Sequence, residues 1–491
     1  MKSVIIVGFD GLQPAQVTPE RMLNLSTMAA DGVVFDDHHS VFPTMTRVNL
    51  ASIHTGCYPG RHGLAANNIV VRELDPTRPI TLNRQNLTEV AEKTGQMLLA
   101  QTLGEILAAN GRELVAVSIG GQGGMFMQNP HAERIGGASV HFKFTLPDAL
   151  HDEIVFRFGP WPAGPDIDIG LVDIPVSDLL GRAVDVLTDY VVEEREPAVS
   201  VLWCSQPDAA QHTAGVGSTL AEDALLQADE QLGRLLEWLA MTGRDAETDV
   251  IVLSDHGYST VSSTIDIRSI VRESGFPDDR QPGGVTVVPN GGAVLFYVHD
   301  RDPATADRLA EWLMGQPWCG PIVGAAALGP IKGVLPAALV GTDGPRAPDL
   351  AMSFAWDSEP SSNGYAGHVA STNTYAGDHG SMSRQEVHNV LIARGPSFKQ
   401  GARVTNATGN VDIAPTVLCI LGLPGVAGMD GRVLDEALAR RPEHEPHERT
   451  TRIHEAKRAI GARVYRQKIA LSTVGSTPYV NYGRAWLTED R

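Results

Sequence analysis

Short runs of aliphatic and β-branched residues recur along the chain, most of them ending near a Gly or an acidic residue: VIIVGFD (4–10), LVAVSIGG (114–121), VSVLWCSQPD (199–208), DVIVLSDHG (249–257) and VLIARGPSF (390–398). These runs are apolar at nearly every position rather than at alternate ones, the pattern of strands covered on both faces, as in a parallel sheet. Between them lie stretches of helical period, such as LAEDALLQADEQLGRLLEWLA (220–240). Strand and helix alternate, which predicts an α/β fold: a three-layer α/β/α sandwich around a largely parallel sheet.

The alternation loosens in two places. Residues 122–175 hold a Gly-rich stretch, prolines and aromatic clusters. Residues 265–365 contain a strand-like GGAVLFYVHD (291–300) followed by a helix-like PATADRLAEWLMG (303–315). The expected organisation is a catalytic core over 1–264 with an insertion at about 122–175, and an inserted smaller α+β cap-like domain over 265–365. The second part of the core follows over 366–440, then a C-terminal extension over 441–491. That tail opens with RRPEHEPHERTTR, read as a charged linker, and then offers KIALSTV and TPYVNYGRAWL as strands. His444 and His447 in the linker read as solvated residues rather than a metal tract.

The 491 residues are ample for a large core, and 43% hydrophobic with 20% charged residues is an ordinary soluble composition. A formal charge of −19 argues against a nucleic-acid polymer as partner. The four cysteines contain no C-x-x-C pair, so neither a disulfide scaffold nor a zinc knuckle is indicated. The opening MKSVIIVGFDG is too short an apolar run for a signal peptide, and no run reaches a membrane span, so a cytoplasmic location without membrane contact is expected. The oligomeric state is left open, with a homo-oligomer among the options.

The chemistry gathers at strand ends. Asp10 closes the first run, Asp208 the third and Asp255-His256 the fourth. In parallel α/β sheets the C-terminal strand edges lie together and ligands bind there. Asp208 is followed by His212 at i+4, on one face of a helical turn, and His379 lies in Gly377-Asp378-His379-Gly380. Three carboxylates and three imidazoles suffice for two divalent ions. One division gives Asp208, His212 and His379 to one ion, and Asp10, Asp255 and His256 to the other. The mixed N/O set suits zinc, with manganese or iron as alternatives.

Taken as an ordered set, VIIVGFDG, FPTMTRVNLASIHTGCYPGRHG, QPDAAQH, LSDHG and GDHGS, with VDIAPTVLCILGLP (411–424) and MDGRVL (429–434), resemble the alkaline phosphatase superfamily and within it the type I phosphodiesterase/nucleotide pyrophosphatase family. The resemblance implies a metal-dependent phosphoryl hydrolase with small anionic phosphate esters as substrates. It also settles how TGCYPGRHG is read. Cys57 and Arg61 mimic the C-x-P-x-R signal of formylglycine sulfatases, yet the resemblance puts the nucleophile nine residues before Thr55, at Thr46. Thr46 in Pro43-Thr44-Met45-Thr46 is then the expected nucleophile and a ligand of the second ion, with a phosphothreonine intermediate; Thr44 is the rival and Cys57 a bystander. Relatives hold a phosphoryl oxygen with an Asn shortly after the HG, which here implies Asn67, with Asn68 as rival.

The likeness weakens after Thr46. Nucleotide pyrophosphatases commonly continue with Phe-Pro-Asn-His, whereas this chain has Arg47-Val48-Asn49-Leu50. Arg47 is a candidate substrate-binding residue whose guanidinium suits a phosphate or carboxylate, which keeps a phosphomonoesterase or phosphonate hydrolase as the alternative. A non-catalytic metal-binding protein is the reading from outside the enzyme class.

Overall fold

The computed structural model describes residues 2–162, 176–277, 281–425, 427–439 and 448–489. Its central sheet has nine strands: β1 (Ser3–Phe9), β2 (Val33–Phe35), β3 (Leu114–Ser118), β4 (Ala138–His141), β5 (Phe144–Leu146), β6 (Val199–Cys204), β7 (Thr248–Leu253), β8 (Leu391–Arg394) and β9 (Ala402–Val404). They lie in the order β9-β2-β8-β7-β1-β6-β3-β4-β5. Pairing is parallel from β7 through β1, β6 and β3 to β4, and also between β2 and β9. The run at 390–398, expected as a parallel strand, is instead the antiparallel β8, wedged between β7 and β2. Hydropathy reports burial of a strand but not its direction.

The alternation of side chains along β1 explains the layers. Val4 and Ile6 join a cluster with Val48, Ile53, Val417 and Leu418, from helices Thr46–Thr55 and Ile413–Ile420. Ile5, Val7 and Phe9 point the other way, against Leu25, Met28, Leu225 and Leu235 of helices Leu23–Asp31 and Thr219–Thr242. A strand with apolar residues on both faces needs a helix layer on each side. Gly8 has a specific use: a Cβ there would lie 2.0 Å from the Trp203 ring, so its absence lets the indole cross β1 and bring Nε1 to 3.5 Å from Asp10 Oδ2.

A third hydrophobic cluster forms around a five-stranded sheet whose strands include Val285–Asn290, Ala293–Val298, Cys319–Gly324 and Leu350–Phe354, with helices Ile267–Glu273 and Pro303–Met314 against it. The last described residues form an antiparallel meander of Arg449–Ile460, Arg463–Val474 and Thr477–Glu489. It is tied to the five-stranded sheet by Tyr465 Oη donating to the Gly320 carbonyl at 2.7 Å and by Gln467, which bonds both the N–H and the carbonyl of Ile322. The RTTR end of the expected linker is therefore already strand, because its residues pair with Leu471–Val474. His444 and His447 lie outside the described residues. The Gly-rich stretch after β3 is likewise more regular than expected, forming helix Gln122–Gln128. No helix of the described residues is long and apolar enough to cross a membrane.

Candidate active site

Asp10 leaves β1, Asp255 and His256 leave β7, and Asp208 opens the helix Asp208–Ala214 shortly after β6. These three strands are adjacent and parallel, so their C-terminal ends deliver the three carboxylates to one place. The helix brings His212 round to Asp208, its Nε2 3.3 Å from Asp208 Oδ1. His379 reaches the same oxygen from the far segment, at 3.4 Å. On the other side His256 Nε2 lies 3.2 Å from Asp255 Oδ2 and 3.6 Å from Asp10 Oδ1. All six expected ligands thus converge.

The donor and acceptor pattern tests whether this cluster fits metal ions. Each histidine turns its Nδ1 to a backbone carbonyl: His212 to Gly377 at 3.0 Å, His256 to Gly257 at 2.9 Å and His379 to Thr44 at 2.6 Å. A carbonyl only accepts, so Nδ1 carries the hydrogen and Nε2 presents a lone pair inward. The oxygens facing those nitrogens, Asp10 Oδ1, Asp208 Oδ1 and Asp255 Oδ2, are buried with no hydrogen-bond partner among the described residues. Orphaned carboxylate oxygens among bare imidazole nitrogens call for cations, and outer hydrogen bonds to carbonyls are how metal-binding histidines are oriented. Two sets of atoms are close enough to share an ion, Asp208 with His212 and His379, and Asp10 with Asp208 and His256. Asp208 stands in both, between the two positions, while Asp255 flanks the second with Oδ1 held by the Gly11 N–H at 3.1 Å.

The electrostatics agree. Burial, with the neighbouring Asp255 and Asp208, pushes the Asp10 carboxyl well above its ordinary range. Burial also pushes Asp255 up to about 6. Burial acts upward on Asp208 too, but the imidazoles of His212 and His379 outweigh it and hold this group below its usual value. His379 is the counterpart: burial disfavours its charge, yet Asp208 raises it to about 9. An imidazole pushed up by these carboxylates marks a place where positive charge is favoured.

Thr46 is the first residue of helix Thr46–Thr55, and its Oγ1 sits 3.3 Å from His256 Nε2. Thr44 is fully buried and already engaged: its hydroxyl faces the Ser381 carbonyl and a Glu386 carboxylate oxygen and accepts the Gly380 N–H, and its carbonyl holds His379. Cys57 lies just beyond the opposite end of the Thr46 helix, its Sγ against the Thr55 and Gly428 carbonyls. Burial pushes its thiol up to about 11, so it is not a thiolate at neutral pH.

Thr46, Arg47, Asn67 and Asn68 line a cavity of about 340 Å³ together with Asp10, Asp208, His212 and His379. The two asparagines differ in what they do. Asn67 Oδ1 accepts the Arg47 N–H at 2.9 Å, and its amide nitrogen makes no hydrogen bond among the described residues. Asn68 is spent on structure: its N–H bonds Asn290 Oδ1, its amide donates to Pro289, and its Oδ1 accepts from Thr81. The Arg47 side chain runs past Gly123, where a Cβ would come within 2.7 Å of Nε.

Several residues at the site carried no signal in the sequence. Tyr375 lines the cavity with its ring 4.5 Å from that of His212, and Phe142 lines it from the segment between β4 and β5. Asp378 accepts the His379 N–H at 2.8 Å and side-chain bonds from Ser371 and Asn373. Glu386, fully buried, accepts from Ser259 at 2.7 Å and from the Ser381 N–H at 2.6 Å, faces Thr44, and takes the Gly257 N–H on its own carbonyl. It therefore touches the segments that carry Thr46, His256 and His379. Only the repeated GDHG and SDHG contexts hinted that neighbours of these histidines mattered.

Comparison with known proteins places the chain in context. The family model for type I phosphodiesterase / nucleotide pyrophosphatase matches residues 4–382. An ectonucleotide pyrophosphatase/phosphodiesterase of Caenorhabditis elegans is 23% identical over 442 residues, covering 88% of this chain but 48% of that protein. The bis(5'-adenosyl)-triphosphatase enpp4 of Mus musculus is 21% identical over 426 residues, 86% of this chain and 77% of the relative. The chain thus spans about half the length of the nematode relative. Among solved structures, murine ectonucleotide pyrophosphatase/phosphodiesterase 5 superposes with a TM-score of 0.62 at 15% identity, over 89% of this chain and all of that one. An inactive variant of the same murine protein, in complex with AMP, gives a TM-score of 0.61. At this identity the likeness concerns the fold.

Proposed function

Because the chain belongs to the type I phosphodiesterase/nucleotide pyrophosphatase family, we propose that it hydrolyses small phosphate esters, diesters and pyrophosphate-linked nucleotides foremost, with Thr46 as nucleophile. The observation that carries this reading is the hydroxyl of Thr46 at the first turn of its helix, 3.3 Å from His256 Nε2 and beside the buried, unpartnered carboxylate oxygens. Asp208, His212 and His379 would hold one divalent ion and Asp10, Asp255, His256 and Thr46 a second, zinc by donor type. When bound, such a pair supplies charge that favours a threonine alkoxide and stabilises the phosphorane-like transition state.

The chain's own residues do the rest. Thr46 Oγ attacks phosphorus and forms an O–P bond as the bond to the ester oxygen breaks; that oxygen leaves and takes up a proton. Water then attacks the phosphothreonine, the Thr46 O–P bond breaks, and the hydroxyl is restored. One water is consumed, and two displacements retain the configuration at phosphorus. The free amide of Asn67 and the N-terminus of the Thr46 helix face a phosphoryl oxygen, donors for the charge that develops there. Pro289, Asn290 and Gly291 bring the 265–365 segment to the cavity wall, so we assign that segment to leaving-group selection. The murine neighbour that carries AMP makes a nucleoside monophosphate a sensible product to test.

A second reading rests on Arg47. A guanidinium at the cavity, next to the nucleophile, suits a dianionic phosphate more than a diester. The experiment compares initial rates of zinc- and manganese-reconstituted protein on bis-p-nitrophenyl phosphate, p-nitrophenyl phosphate, p-nitrophenyl sulfate and a dinucleoside polyphosphate. Diester or dinucleotide turnover dominating, and lost in Thr46→Ala, supports the first reading. Dominant monoester turnover supports the second, and no turnover by a fully metallated protein refutes both.

A further inference from the structure

A second group of imidazoles and a carboxylate, Asp37, His39 and His388, lines no part of the substrate cavity. His39 and His388 are cross-strand partners in a small antiparallel pairing, with ring centroids 4.6 Å apart. Asp37 follows β2, and its Oδ1 lies 3.0 Å from His388 Nε2 and 3.4 Å from His39 Nε2.

The hydrogen positions follow from the partners. His39 Nδ1 faces the Thr408 carbonyl at 2.9 Å and His388 Nδ1 faces the Arg384 carbonyl at 2.9 Å, so each Nδ1 carries a hydrogen. With neutral rings both Nε2 atoms are then lone pairs, and they point at Asp37 Oδ1. His39 Nε2 also faces Asn481 Oδ1 at 3.1 Å. Four acceptors converge with no hydrogen among them. The same signature, Nδ1 on a carbonyl and Nε2 toward a carboxylate oxygen, marks all three histidines of the substrate cavity. Separations of 3.0–3.4 Å also match the edge of a tetrahedron with metal bonds of about 2.0–2.1 Å, which is about 3.3 Å.

We propose that Asp37, His39 and His388 bind a further divalent cation, zinc by their donor set, that clips the C-terminal meander to the core. The meander contributes Asn481, which faces the cluster, and Arg449, whose guanidinium lies 2.5 Å from Asp37 Oδ2. Arg449 is anchored from elsewhere, by the Thr405 carbonyl and Ser472 Oγ. It therefore forms an ion pair at the back of the carboxylate, while Oδ1 is the atom that faces both imidazoles. With neutral rings neither Nε2 has a hydrogen to offer Asp37 Oδ1, and a proton on either would set an imidazolium 4.6 Å from the other ring and beside Arg449. Turning the Asn481 amide would give His39 a donor but leave His388 facing Asp37. His39 is almost wholly buried whereas Asp37 and His388 are each about a fifth exposed, so water can complete the coordination.

The test counts zinc by mass spectrometry in the full chain after equilibration with the ion and removal of the excess. Wild type is expected to hold about one equivalent more than His388→Gln, and the variant keeps its esterase rate within about twofold, because a structural ion acts through folding rather than chemistry. A second arm uses cobalt. The cobalt spectrum of Asp208→Asn, which removes a ligand from the substrate cavity, exceeds that of the double variant Asp208→Asn/His388→Gln by about one tetrahedral cobalt equivalent, whatever the remaining cavity ligands still hold. Should His388→Gln fold poorly, Asp37→Asn replaces it in both arms. Equal metal counts in wild type and variant, or an unchanged cobalt spectrum in the double variant, overturn the proposal and leave a hydrogen-bonded ion-pair cluster. The count does not depend on which ester the protein hydrolyses.

Discussion

Thr46 Oγ1 and His256 Nε2 stand 3.3 Å apart, although they lie 210 positions apart in the chain. Thr46 opens a helix and His256 follows β7, so their meeting defines where the sheet edge and the helix N-terminus enclose a common volume. Removing the hydroxyl should stop chemistry without dismantling the site. Thr46→Ala is expected to lower kcat on a phosphodiester by on the order of 10³-fold or more, while the ion of Asp208, His212 and His379, which Thr46 does not ligate, is retained by mass spectrometry. Thr44→Val, in contrast, should disturb metal content, since it removes the hydroxyl that accepts the Gly380 N–H beside His379.

Cys57 should be inert. Its thiol is pushed up to about 11 by burial, so the native protein at pH 7.5 is expected to resist iodoacetamide at this position, read by peptide mass. Cys57→Ala should keep phosphodiesterase rates within about threefold. Sulfate ester turnover that depends on Cys57 would refute the Thr46 assignment.

Arg47 discriminates between substrates. Arg47→Ala is expected to raise KM for a monoester by about tenfold, the size of one lost charge-assisted bidentate contact, and that for a diester by less. Equal losses on both substrates would reduce Arg47 to a structural role.

Glu386 positions the site without touching substrate. Its carboxylate accepts from Ser259 and Ser381 and faces Thr44, so Glu386→Gln places an amide hydrogen against at least one donor. Outer contacts of this kind are worth about 10–100-fold in metal affinity. Competition with a zinc chelator should show that loss, and excess zinc should restore much of kcat. Reduced kcat with wild-type affinity would point to another role.

His54 makes acid stability testable at a single position. It is buried inside helix Thr46–Thr55, neither ring nitrogen has a hydrogen-bond partner among the described residues, and burial holds it down to about 4. Below about pH 6.5 the unfolded chain protonates this ring while the folded one does not, so its contribution to stability is full above 6.5 and is lost as pH falls toward 4. His54→Leu removes that term. Relative to wild type it should gain about 1.4 kcal/mol per pH unit over this window, measured by urea unfolding at matched pH. A pH-independent difference would show that the ring is satisfied by water.

Much of the architecture was legible in the chain. VIIVGFD, VSVLWCSQPD and DVIVLSDHG announce strands covered on both faces, and acidic residues at their ends put Asp10, Asp208 and Asp255 at one sheet edge, because parallel strands share the direction in which they finish. The i+4 spacing likewise fixed that Asp208 and His212 share a helical face. These are local properties, dictated by backbone periodicity and by burial.

What only the tertiary structure decided depends on contacts between distant segments. Hydropathy could not tell that Leu391–Arg394 runs antiparallel, since burial is blind to strand direction. Asn67 and Asn68 are identical neighbours in sequence; Thr81 together with Pro289 and Asn290, the last two more than two hundred residues away, engages Asn68 and leaves the Asn67 amide unengaged. Thr44 and Thr46 are separated in the same way, by Glu386, Ser381 and Gly380. The hydrogen-bond state of a side chain is set by whatever the fold packs against it, and that information lies in no single stretch of the chain.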